Sequence, residues 1–147
     1  MGTYENLSAD REFCEALGRM TLAASRFESD LRAYLALTGV DVAPRLATFG
    51  ALVTRLRQRG LLSDNGEGIL RHLKNQRNYL THSLYDLFTA RIDETLMFRD
   101  DLEDTSLLAE RAWLLEQELN SFADLTELRI AELQADERGS DELLFRP

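Results

Sequence analysis

Apolar residues recur along this chain in steps of three and four, the spacing that lines one face of an α-helix. The first run is Phe13, Leu17, Met20, Ala24, Phe27, Leu31 and Tyr34. It predicts one long helix over 8–39, with Ser8 as N-cap, Asp10 and Glu12 in the first turn and Gly39 as the stop. After a loop at 40–44, Leu46, Phe49, Leu52, Val53 and Leu56 predict a shorter second helix over 45–59. Gly60 and the run Ser63-Asp64-Asn65-Gly66 break the pattern. A third helix is expected over 67–91, with Leu73, Leu80, Leu84 and Leu87 as its stripe. The acidic connection Arg99-Asp100-Asp101-Leu102-Glu103-Asp104 precedes a fourth over 105–136, where Leu108, Leu115, Leu119 and Phe122 face inward and Trp113 is expected in the core. Together these predict an all-α fold, an antiparallel bundle of four main helices. One domain is expected over 8–137 and a flexible tail over 138–147, in which Leu143, Leu144 and Phe145 are the residues able to dock.

Composition agrees with that reading. The chain has 147 residues, enough for one domain with a real core, and only two prolines and eight glycines to interrupt helices. No apolar run reaches the length of a membrane span, so no membrane partner is expected. The segment Met1-Gly2-Thr3-Tyr4-Glu5-Asn6 carries neither the regions of a signal peptide nor the Ser or Thr of a myristoylation signal. A single cysteine, Cys14, leaves no internal disulfide, and the expected location is the cytoplasm. Cys14 flanks the first apolar stripe and is read as packing. Two histidines ten residues apart and one distant cysteine do not make a zinc set. Glu110, Glu116 and Glu118 lack the Glu-x-x-His pairs of di-iron bundles, and Gly66-Glu67-Gly68 is a break rather than a phosphate loop. No metal and no cofactor are expected.

Charge bears on the choice of partner. The formal net charge of −9 disfavours nucleic acid as a partner, but the charge is unevenly distributed and locally its sign reverses. Arg45, Arg55, Arg57, Arg59, Arg71, Lys74 and Arg77 are opposed between 45 and 82 only by Asp64 and Glu67, seven basic residues against two acidic ones. The bland alternative is that these arginines solvate outer helix faces.

Within that block stands Arg77-Asn78-Tyr79-Leu80-Thr81-His82. Arginine offers a fixed charge and a planar fork of donors that suits phosphate; histidine both takes and gives a proton near neutral pH. The two are a minimal kit for cleaving a phosphodiester without metal. At 100° per residue, Arg71, Lys74, Asn75, Asn78, His82, Tyr85 and Thr89 lie opposite the leucine stripe. Asn78, His82 and Tyr85 follow one another by single turns and can touch one ligand, while Arg71 and Lys74 extend the basic approach. Arg77 falls at the stripe's edge, where an apolar residue would fit between Leu73 and Leu80. A fixed charge there needs a partner, either a carboxylate of the first helix (Glu28 or Asp30) or a phosphate. His72, without an arginine at that spacing, reads as surface.

The text Leu73-Lys74-Asn75-Gln76-Arg77-Asn78-Tyr79-Leu80-Thr81-His82 resembles the R-N-x-L-x-H form of the Arg-x4-His motif in the HEPN superfamily. Thr48-Phe49-Gly50, followed by Leu52, Val53 and Leu56, is similar to the glycine-containing helix that precedes the motif in such proteins. The likeness covers about 10–135 as architecture and under twenty residues as motif. It implies a HEPN-like homodimer and a metal-independent endoribonuclease of toxin or defence type. Arg77 would hold the scissile phosphate, His82 would act as general acid/base at the ribose 2′-OH, and Asn78 would orient histidine or substrate. RNA is the implied substrate, and an antitoxin or other protein the implied partner. Members paired with a nucleotidyltransferase carry Tyr two residues after the His. Here Ser83 and Leu84 come before Tyr85, so regulation through that tyrosine is not implied. Many members have lost catalysis, which sets the alternative expectation of a silent helical module that dimerises or binds a partner through the acidic fourth helix.

Overall fold

The computed structural model describes residues 3–43, 45, 47–83, 105–135 and 143–145. Among them are five α-helices, four of them substantial, and no strand: α1 Thr3–Ala9, α2 Arg11–Leu37, α3 Phe49–Gln58, α4 Asp64–Asn78 and α5 Thr105–Ala135. A π-helical turn, Tyr79–Ser83, continues α4. The all-α class and the four main helices agree with the apolar spacing. No described helix is long and apolar enough to cross a membrane.

The helix ends show where side chains overrule periodicity. The first predicted helix is two. Asp10, not Ser8, is the N-cap of α2: its Oδ1 accepts from the Phe13 amide at 2.8 Å, while Ser8 lies inside α1. The Thr105 hydroxyl, and then the Phe13 amide, hold the Asp10 carboxyl below its ordinary range. Thr48 caps α3 through the Ala51 amide, so that helix starts later than periodicity suggests. Ser63 accepts from the Gly66 amide at 3.0 Å, which turns the supposed break at 63–66 into the start of α4. Both α2 and α3 end in the same motif. Gly39 (φ 91°) and Gly60 (φ 69°) take the left-handed conformation that L side chains resist, and the amides of Val40 and Leu61 reach back to Leu35 and Leu56.

The core forms where α2 lies along α5. Phe13, Met20, Phe27, Leu31 and Tyr34 of α2 meet Leu108, Ala112, Leu115, Leu119 and Ala123 of α5, all buried. From α3 and α4 come Phe49, Leu52, Val53, Leu56, Leu70 and Leu73. Contacts fix the direction of the long pair: Asp10 meets Thr105, Arg19 meets Glu116, Arg26 meets Asp124 and Asp30 meets Glu127. Both positions rise together, so α2 and α5 run parallel, and the antiparallel expectation is corrected for this pair. Trp113 is also a correction, being half exposed rather than core (50%). Cys14 is exposed as well, its thiol donating to the Leu7 carbonyl at the α1–α2 corner.

Of the C-terminal segment, Leu144 is buried, its amide bonds to the Leu61 carbonyl at 2.9 Å, and Phe145 packs edge-on against Phe122 at 5.2 Å. The expected stripe residues Leu84 and Leu87, and the acidic connection 99–104, lie outside the described residues.

Arg26 clamps the long pair with one guanidinium against three α5 side chains. It reaches Asn120 at 3.0 Å, Asp124 at 2.6 Å and Glu127 at 2.9 Å. Asp30 adds a carboxyl to the same cluster. Burial, and then the Glu127 carboxylate beside it, push its pKa up to about 6, against the pull of Arg26. The folded state thus binds a proton more tightly than the unfolded chain, and stability from this group is full below pH ~4 and lost as pH rises to ~6. Asp30→Asn keeps the shape without the charge. It is expected to raise stability at pH 7 by on the order of 1 kcal/mol and to flatten the pH 4–6 slope, as read by urea denaturation. A variant with the wild-type slope would show that Asp30 does not carry it.

Candidate functional site

The motif occupies the last turn of α4 and the π turn. Thr81 has a direct part in that geometry: its hydroxyl donates to the Arg77 carbonyl at 2.8 Å, a competitor for the acceptor of an ordinary helical bond. Back-bonding of this kind loosens and bends a helix. Here it coincides with the widening at Tyr79–Ser83. The consequence concerns the pair of interest. In a regular α-helix, five steps separate two side chains by about 140°. A π turn closes its hydrogen bonds on residues five apart and so departs from that rotation; His82 lies within it and Arg77 in the regular helix just before it.

Arg77 is seated in a socket built by two other helices. Its Nη2 lies 3.2 Å from Glu28 Oε1 of α2, with both side chains about three-quarters buried. Its guanidinium carbon stands 6.0 Å from the centroid of the Phe49 ring, at the outer limit of a cation–π contact. Phe49 in turn packs edge-on against Phe27 at 5.6 Å, the residue before Glu28. Nε of Arg77 is buried with no acceptor among the described residues. Burial lifts the Glu28 pKa above its ordinary value, and the Arg77 charge draws it part of the way back. Asp30, the other carboxyl considered for Arg77, is committed to the Arg26 cluster.

The remaining candidates divide. Asn78 is half-buried beside Arg77, and His82 is exposed on the π turn. Arg71 is turned back to Glu67, with Nε at 3.3 Å, and Glu67 also takes Arg57 at 3.2 Å. The stem of Lys74 lies along α3, its Cδ 3.4 Å from where a β-carbon at Gly50 would be. Arg71 and Lys74 therefore have contacts of their own, two turns and one turn before Asn78 respectively. Tyr85 lies outside the described residues. His72, exposed, has Nε2 2.6 Å from the Gln76 amide nitrogen. The basic block is partly compensated from within: Arg57 also pairs with Asp64 at 2.6 Å, whereas Arg55 and Lys74 have no ion pair among the described residues. No cluster of three or more potential metal ligands occurs among the described residues.

Two contributors were not foreseen. Phe49 gave a core signal in the sequence and no hint of its place under Arg77. Thr81 gave the only available hint of the π turn, a hydroxyl four residues after Arg77 in mid-helix.

Comparison with protein-family models, curated proteins and solved structures finds no match to this chain. The reading of the site therefore rests on its own residues.

The Arg77–Glu28 pair has a measurable signature. Arg77→Met strands a carboxylate whose pKa burial already raises, whereas Glu28→Gln leaves the arginine over Phe49. The first is expected to cost more stability than the second. A double-mutant cycle in denaturant should return a coupling of about 1–2 kcal/mol. A coupling near zero would mean the pair is incidental to the fold.

Proposed function

We propose that this protein is a metal-independent endoribonuclease in which Arg77 and His82 act together on a phosphodiester of RNA, at a cleft formed by two copies of the chain. The observation that supports the reading is the π turn within the motif itself, which carries the exposed His82 directly after the helical turn that holds Arg77. Such turns inside helices are frequently found at functional sites. The roles follow from chemistry. His82 in its neutral form takes the proton of the ribose 2′-OH, and the 2′ oxygen attacks phosphorus. Charge grows on the non-bridging oxygens, where the Arg77 guanidinium stabilises it. An imidazolium, supplied by the same residue of the second copy, protonates the departing 5′ oxygen. The products are a 2′,3′-cyclic phosphate and a 5′-hydroxyl. Glu28 and Phe49 hold the guanidinium in place before substrate arrives, which spares reorganisation during the reaction. Asn78 orients the ribose or the imidazole. A toxin or defence role, an antitoxin and a cytoplasmic location belong to this reading through the HEPN resemblance.

One observation favours a second reading, a catalytically silent HEPN-like module. Arg77 already has a carboxylate partner and is three-quarters buried, which suffices for a purely structural role. The decisive variant is His82→Ala, because an exposed side chain is removed with little effect on folding. With labelled mixed RNA in EDTA, the wild type should cut and leave cyclic-phosphate ends. His82→Ala should be slower by about 100-fold or more. Arg77→Lys, checked for folding by its melting curve, should lose most activity, because a point charge does not reproduce the guanidinium fork. A wild type that leaves every RNA intact would favour the silent module, and equal cutting by all three proteins would place the chemistry elsewhere.

A further inference from the structure

The ion pairs of α3 and α4 leave one cation on the motif's own helix without a counter-charge. Arg57 and Arg71 share Glu67, and Arg57 also takes Asp64. Arg77 has Glu28. Lys74 is half-buried and has no ion pair among the described residues. Its stem crosses to α3, where Cδ and Nζ lie 3.4 and 3.8 Å from the point that a β-carbon of Gly50 would occupy. Gly50 belongs to the first turn of α3, the positive end of that helix dipole, so α3 gives the ammonium no compensation.

On α4, Lys74 is a neighbour of Arg77, three residues on, and of Asn78, four residues on. Both cations rest on the same turn of α3: the Arg77 guanidinium carbon stands 6.0 Å from the Phe49 ring centroid, and Gly50 follows Phe49. Two like charges at that spacing repel each other on a helix. Among the described residues one carboxylate, Glu28, serves the two, and it lies on Arg77. The surplus is one positive charge, set about 6 Å along the helix axis before Asn78.

We propose that Lys74 binds a phosphate adjoining the scissile one, so that the RNA strand runs along α4 from Lys74 to His82 and the site takes a chain of nucleotides rather than a single phosphodiester. A phosphate contact of this kind fixes register without reading sequence. Lys74 acquires this ligand through the ribonuclease reading, on which the proposal rests; binding tests it without cleavage.

The experiment measures the affinity of the full chain for a fluorescein-labelled 2′-O-methyl decanucleotide of mixed sequence, by anisotropy, between 50 and 200 mM salt. Lys74→Gln should weaken binding about fivefold and flatten the plot of log affinity against log salt by about 0.7, the share of one phosphate on a single strand. Gly50→Asp should do the same with the lysine kept, because it sets a carboxylate beside the ammonium in a first helical turn, where acid is favoured. Arg55→Gln removes an equal charge about 140° round α3 from Gly50 and should change neither quantity. Melting curves check that each variant is folded. Equal losses in Arg55→Gln and Lys74→Gln would mean a diffuse field and overturn the proposal, as would an unchanged slope in Lys74→Gln. If the wild type cuts RNA while Lys74→Gln binds as well as wild type, the ribonuclease reading survives and the Lys74 contact falls. If binding depends on Lys74 but no RNA is cut in EDTA, the phosphate contact stands and the ribonuclease reading falls. A wild type that binds no RNA removes both.

Discussion

The packing of α2 along α5 is the constraint on which the rest depends. Two helices of 27 and 31 residues lie side by side in the same direction, with Phe27, Leu31 and Met20 fully buried between them and their neighbours. Burying that many large side chains supplies the main driving force of the fold. The Arg26 cluster adds direction to it, because one guanidinium can meet Asn120, Asp124 and Glu127 together only in one register. α2 is thus the rod to which the shorter helices attach.

The candidate site inherits its geometry from that rod. Phe27 meets α5 on one side and the Phe49 ring of α3 on another; Phe49 lies under Arg77, and Glu28, next in sequence to Phe27, takes the guanidinium. A residue at the tip of α4 is therefore held by two elements that are themselves anchored in the core. His82 is placed differently, on the π turn, and is exposed. In the proposed reaction the held cation would supply preorganised charge stabilisation and the accessible imidazole proton exchange. The same arrangement explains why the arginine alone is an ambiguous witness, since its removal disturbs the fold as well as any chemistry.

Much of this was legible in the spacing of apolar residues. The stripes through Phe13, Met20, Phe27 and Leu31, through Phe49, Leu52 and Leu56, and through Leu73 and Leu80 gave the helices and their inward faces, because burial selects residues at the period of the helix. The need of Arg77 for a partner was legible too, since a charge at the edge of a core stripe is costly alone. What escaped was set by single side chains or by tertiary context. The division at Asp10 and the starts at Thr48 and Ser63 depend on which short polar side chain reaches a backbone amide. The parallel course of α2 and α5 depends on how the chain returns between them, which local periodicity does not encode. Trp113 was misplaced because α5 has apolar residues on two faces, so hydrophobicity alone could not tell core from surface. The π turn left no mark in the pattern beyond the Thr81 hydroxyl.

The central claim is that Arg77 and His82 meet the same phosphate, and NMR of the two histidines tests it most directly. His72, exposed and ten residues earlier on α4, is an internal control. On titration with a 2′-O-methyl oligoribonucleotide, which offers the phosphates but no attacking hydroxyl, the imidazole Cε1–Hε1 resonance of His82 should move and saturate. That of His72 should stay in place, and Arg77→Lys should abolish the His82 response in a folded protein. Resonances that both stay fixed, or both drift together in proportion to added RNA, would contradict a phosphate site built on Arg77 and His82.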